Sequence, residues 1–175
     1  MELKHILPDM LAASDVFPDY ECVLAGAPML SQADYAPYLG NRKIKIITNA
    51  TYDLLLNAEA ALVTSGTATL ETALLKCPEV VLYKGNRLSV AIARLLVNIK
   101  FISLVNLILD KLVVKELIQE DCNPSEIAIQ LAPLLSDTPQ RAQMLSDYEA
   151  LAKRVGPAGA SERTAKLVRK YLNTK

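Results

Sequence analysis

The sequence predicts an α/β fold, a Rossmann-like parallel sheet of about five strands flanked by helices and followed by a helical carboxyl-terminal segment. Two observations predict it. Short β-rich runs at Cys22–Ala25, Ile44–Ile47, Ala61–Val63 and Val80–Tyr83 alternate with helical stretches, the order that βαβ crossovers impose on a parallel sheet. After Phe101–Leu104 the alternation ends and the remainder reads as helices. The expected division is therefore residues 1–120 as the sheet-bearing domain and 121–175 as helices packing on it or on a partner.

Ile6, Leu7, Met10 and Leu11 recur at helical spacing, with Phe17-Pro18-Asp19 as the stop, so the chain opens on a helix. Gly26-Ala27-Pro28 closes the first strand. Ser31 can cap a helix running towards Leu39-Gly40, and Thr51 another running through Leu56, because a short hydroxyl side chain accepts from the free N–H groups of a first turn. Thr67–Lys76 reads as a helix, Val80–Tyr83 as a strand and Leu88–Val97 as a largely apolar helix. Phe101–Leu104 closes the sheet. Val113–Gln119, Ser125–Leu135, Pro139–Arg154 and Ala160–Leu172 then read as helices, punctuated by Pro124, Pro133, Pro139 and Gly156-Pro157. A doubly wound sheet normally opens on a central strand whose following turn faces the ligand. Here a helix comes first, as though the chain starts one strand late.

Composition bounds the function. The chain has 175 residues, 51% hydrophobic and 22% charged, which suits one folded domain rather than disorder. Nineteen basic residues balance nineteen acidic ones, so no global field favours nucleic acid. Cys22, Cys77 and Cys122 are too scattered for a zinc cluster or a disulfide framework, which fits a reducing cytoplasm. No signal-type apolar segment opens the chain, and no apolar run reaches the roughly 20 residues of a membrane span. A peripheral patch on one helix face remains compatible with this composition.

The densest chemistry lies in LVTSGTATLETALLKCPEVVLY, Leu62 to Tyr83. A strand stops at Ser65-Gly66-Thr67 and a helix begins at once, and a helix start presents unpaired N–H groups and a positive dipole end to an anion. Gly66 permits close backbone approach, while Ser65, Thr67 and Thr69 add hydroxyl donors suited to phosphate oxygens. Glu71, four residues beyond Thr67, falls on the same face one turn deeper. A carboxylate there repels phosphate but accepts hydrogen bonds from a ribose diol. Ordinary helix capping explains the same Ser and Thr residues about as well on this segment alone. Neither GxGxxG nor GxxxxGK[ST] occurs, so NAD-linked and ATPase chemistry lack support.

SGTATLE (Ser65–Glu71), KCPEVVLY (Lys76–Tyr83), FISLVNL (Phe101–Leu107) and VKELIQE (Val114–Glu120) occur in that order and spacing. Together they resemble the carboxyl-terminal part of lipid-A-disaccharide synthase, a GT-B glycosyltransferase, and the resemblance runs from the LPDML helix to the GASER helix. It implies the donor-binding domain of such an enzyme, with its first strand missing. The implied donor is UDP-2,3-diacylglucosamine and the acceptor 2,3-diacylglucosamine 1-phosphate, joined by inverting transfer to give the lipid A disaccharide 1-phosphate and UDP, without a metal or further cofactor. It also implies pyrophosphate at Gly66 and Thr67, ribose at Glu71 and a polar contact from Asn106, with Val105 standing where many members have proline. The catalytic base and the lipid acceptor site are implied to lie in an amino-terminal domain, so this half alone is expected to be inactive.

The remaining candidates have plainer readings. His5, the single histidine, has no acidic orienting partner nearby in sequence and is read as structural. Cys77 before Pro78 reads as a buried thiol, Lys84 and Arg87 as surface charges, and Glu120-Asp121 as side chains diverging along a helix. No catalytic residue is assigned. Two other readings stay open: a nucleotide-binding or interaction module without catalysis, and the donor domain of another UDP-sugar GT-B enzyme such as an epimerase or the peptidoglycan transferase. The expected location is the cytoplasm, peripherally on the inner face of the bacterial cytoplasmic membrane, with a second copy of the chain as a further partner that could cover apolar helix stripes.

Overall fold

The computed structural model describes residues 3–64, 66–85, 100–157 and 159–172. The expected helix Leu88–Val97 and Arg87 lie outside them. Within them α1 (Leu3–Ser14), β1 (Val23–Gly26), α2 (Gln32–Leu39), β2 (Lys45–Thr48), α3 (Thr51–Asn57), β3 (Ala61–Thr64), α4 (Thr67–Leu74) and β4 (Glu79–Tyr83) alternate as the sequence predicts. All strand pairs are parallel. The α/β class and the parallel, helix-flanked sheet are therefore observed, with one change: the strands form two sheets, β1-β2 and β3-β4-β5.

Two expectations after β4 are corrected. Phe101–Leu104 is not a strand; Ser103 caps a helix, α5 (Leu104–Leu109), by accepting from the Asn106 N–H at 3.2 Å. Val113–Gln119 is not a helix. It supplies β5 (Lys115–Ile118), which pairs with β4 from Val80–Lys115 to Tyr83–Ile118 and leads into a 3-10 turn, Gln119–Asp121. Both errors have one cause, because an apolar run of four to seven residues satisfies the strand and helix periods equally well.

The helices from residue 121 onward continue the same core. α6 (Pro124–Leu131) starts at Asn123, whose side chain accepts from the Glu126 N–H, and buries Ile127, Ala128 and Leu131. α7 (Pro139–Val155) starts at Thr138 and buries Met144, Tyr148 and Leu151. These join Val80, Val81, Leu82 and Leu117 of the sheet in one cluster. Arg141 on α7 also donates to the Glu59 carbonyl at 2.6 Å, tying that helix to the loop before β3. A smaller cluster of Leu7, Leu11 and Tyr35 packs with Leu24 and Ile46 of the other sheet. α6 and α7 thus pack directly on the sheet-bearing part. α8 (Ala160–Leu172) differs, since Leu167, Val168, Tyr171 and Leu172 on it are exposed.

Candidate nucleotide site

The parallel pairing of β3 with β4 places their carboxyl ends on one edge of the sheet, and Gly66 and α4 follow β3 directly. Gly66 has φ 150° and ψ −162°, a combination essentially restricted to glycine. Among the described residues no heavy atom would lie within 4 Å of a Cβ placed there. The residue is needed for its backbone angles, and none of the described residues fills the space above it. Because Gly66 carries no side chain, the residue at the cap position supplies no side-chain acceptor to the first turn of α4. That helix start keeps its capacity for an external anion.

Of the predicted site residues, Gly66 and Thr67 lie exposed at this turn, and Glu71 is half-buried one turn further along α4. Among the described residues the Glu71 side chain has no hydrogen bond or ion pair with protein, while its carbonyl accepts from the Leu75 N–H at 3.0 Å. Ser65 lies outside the described residues. Thr69 is corrected: it is wholly buried, and its hydroxyl donates to the Gly66 carbonyl at 2.9 Å. That bond holds the Gly66 turn against α4, which makes Thr69 a support for the loop rather than a contact to ligand.

The expectation that Asn106 contacts the nucleotide does not hold either. Its side chain is fully buried. The amide nitrogen donates to the Val114 carbonyl and to Glu116 Oε1, both at 2.8 Å, and the amide oxygen accepts from Val113 N–H at 2.7 Å and Val114 N–H at 3.0 Å. All four hydrogen-bonding positions of the amide are used within the protein. Glu116 completes the clamp by accepting from the Ile102 and Ser103 N–H groups at 2.9 Å each. Sequence reading missed Glu116 because it was placed on a helix face; only the β4–β5 register brings it under the start of α5. Asn106 and Glu116 therefore fix the segment beside α4, since α4 and α5 pack together.

Other charged groups are engaged elsewhere. Lys84, just past β4, is ion-paired with Asp9 of α1, and the neighbouring Gly85 N–H donates to the Gln119 side chain at 2.9 Å. Cys77 is buried, and its thiol is pushed up to about 12, chiefly by burial and secondarily by Glu79. It is no nucleophile. No three His, Cys, Asp or Glu side chains among the described residues converge as metal ligands. A shallow groove along α2 and β2, lined by Gln32, Leu39, Ile44 and Ile46, belongs to the other sheet and contains none of the predicted residues.

The family model for lipid-A-disaccharide synthetase matches residues 3–170. The chain is 36% identical over 174 residues to the lipid-A-disaccharide synthase of Anaeromyxobacter dehalogenans, covering 95% of this chain and 45% of that protein. It is 37% identical over 172 residues to the enzyme of Nitrosococcus oceani, with 95% and 44% covered. With that of Sodalis glossinidius it shares 40% over 183 residues, with 98% and 47% covered. The chain thus spans about half the length of these curated relatives. On the family match and on these identities, the chain belongs to the lipid-A-disaccharide synthetase family.

Proposed function

We propose that this chain is the donor-binding half of a lipid-A-disaccharide synthase, in which UDP-2,3-diacylglucosamine gives up its sugar to 2,3-diacylglucosamine 1-phosphate. The observation that carries this reading is the β3–Gly66–α4 junction, a glycine turn leading into a helix whose cap residue supplies no side-chain acceptor, with Glu71 one turn deeper. In this reading the diphosphate rests on the leading N–H groups of α4, beside the Thr67 hydroxyl, and the Glu71 carboxylate accepts from the ribose diol. Departure of UDP leaves negative charge on the diphosphate oxygens, and a helix amino end aimed at those oxygens stabilises that charge as it develops. The base that removes the acceptor proton, and the acceptor site, belong to the other half of the enzyme.

Peripheral attachment to an anionic membrane surface is part of the same proposal. α8 shows Leu167, Val168, Tyr171 and Leu172 exposed, with Lys166, Arg169 and Lys170 among them, the mixture that lies flat at a lipid interface. No helix among the described residues is long and apolar enough to cross a membrane.

Titration calorimetry with UDP tests the donor site. The chain should bind UDP saturably, and Glu71→Ala should weaken binding by about 1–3 kcal/mol, the worth of hydrogen bonds to a charged group. Equal affinity in the variant removes the ribose role from Glu71, and no heat at millimolar UDP overturns the donor site in this chain.

A further inference from the structure

The register of the three-stranded sheet sets what stands beside the Gly66 turn. Thr64 is level with Leu82, and Tyr83 with Ile118. Carried past the ends of the strands, that register puts Lys84 between Gly66 on one side and Gln119 on the other, with about 5 Å from each strand to the next. The peptide that follows Lys84 is fixed there. Gly85 N–H donates to Gln119 Oε1 at 2.9 Å, and Gln119 Nε2 donates back to the Gly85 carbonyl at 3.2 Å. Gln119 is itself buried and has φ 56°, a left-handed backbone that is uncommon outside glycine. Such a conformation persists where its surroundings hold it, and the two bonds to Gly85 hold it here.

The Lys84 side chain is held far less firmly than its backbone. Its ammonium pairs with Asp9 of α1, and the two side chains remain 26% and 22% exposed. A single ion pair that water still reaches is weak, and the lysine stem is long and flexible. Beside it lies a site short of positive charge. A helix amino end supplies about half an elementary charge, and a diphosphate brings more negative charge than that. Glu71, one turn along α4, adds to the deficit.

We infer that Lys84 is a diphosphate-binding cation of this site, held by Asp9 in the free chain and released to the phosphate oxygens when a nucleoside diphosphate binds, with Gln119 as the positioning residue that keeps its backbone beside Gly66. This deepens the donor-site reading and rests on it. The exchange trades one carboxylate for a group of higher charge, so it runs towards the ligand. Asp9, already part exposed, is left to water. Because the Gln119 clamp fixes the Gly85 peptide and not the ammonium, the side chain changes partner without a backbone movement.

The test is titration calorimetry with UDP and with uridine, which lacks the diphosphate, alongside a thermal melt of every variant. Lys84→Met should weaken UDP about tenfold or more, the worth of a charge-assisted hydrogen bond, and leave uridine unchanged, while Lys84→Arg should keep most of the affinity. Asp9→Asn frees the ammonium and should tighten UDP about two- to fivefold, but not in the Lys84→Met background. Gln119→Leu should weaken UDP while Lys84 is present and add nothing to Lys84→Met, a coupling that loss of packing alone does not produce. If Lys84→Met fails to melt as a folded chain, Asp9→Asn and Lys84→Arg decide the matter: no gain from the first with no retention in the second overturns the role. Equal UDP affinity in Lys84→Met and the unaltered chain, or an equal loss for uridine, overturns the role of Lys84 and leaves the donor site standing. Equal gains from Asp9→Asn with and without Lys84 overturn the exchange. No UDP binding by the unaltered chain overturns the donor reading and this inference with it.

Discussion

Glu79 occupies a costly position. It begins β4, is fully buried, and among the described residues neither carboxyl oxygen has a hydrogen-bond partner. Burial pushes the Glu79 carboxyl well above its ordinary value of 4.5. A raised folded value means that the stability contributed by the neutral acid is complete below about pH 4.5 and is lost as pH rises through the folded value. Glu79→Gln, neutral at every pH, should leave stability near pH 4 almost unchanged and raise it by about 1–3 kcal/mol at pH 8. Urea unfolding at the two pH values checks this, and an equal gain at both would show that the charge is not the cause. At the nucleotide turn, Gly66→Ala forces a side chain onto φ 150° and should cost about 1–3 kcal/mol by the same measurement, with loss of UDP binding.

The Asn106–Glu116 clamp belongs to the scale of elements. It joins the start of α5 to β5, two elements the sequence misassigned, through bonds that need both in place. Asn106→Ala leaves the Val113 and Val114 N–H groups and the Val114 carbonyl without their partner, and should destabilise the ligand-free chain by about 2–3 kcal/mol. Denaturation without UDP is the discriminating measurement: a variant that keeps full stability and loses only nucleotide affinity would return Asn106 to the ligand. The strands and helices from α1 to β4 were legible because apolar period and Gly and Pro punctuation agree there, although Thr51, expected as a cap, is the first residue inside α3, which starts at Ala50 without a side-chain cap. At the start of α2, Ser31 precedes the helix as expected, but its N–H and its hydroxyl both donate to the Asp34 carboxylate at 2.7 Å. Phe101–Ile118 was not legible, because its apolar runs are short and tertiary pairing chose between two periods.

At the scale of the whole molecule, one large core built on β4 holds α6 and α7, while α8 leaves its apolar side chains in solvent. Leu167→Asp with Val168→Asp should abolish co-sedimentation with vesicles containing anionic lipid without lowering the melting temperature, because neither side chain is buried. A fall in melting temperature would mean that this face already packs within the folded chain. The sequence by itself determined the class, the parallel sheet, the Gly66 turn and the family resemblance, since each rests on a local pattern or an ordered set of motifs. Only the tertiary structure decided that Thr69 and Asn106 are spent on the protein's own backbone and that the strands divide into two sheets. Hydrogen-bond saturation and strand pairing are properties of groups far apart in sequence, and no local pattern records which partner a buried amide or a free edge will find.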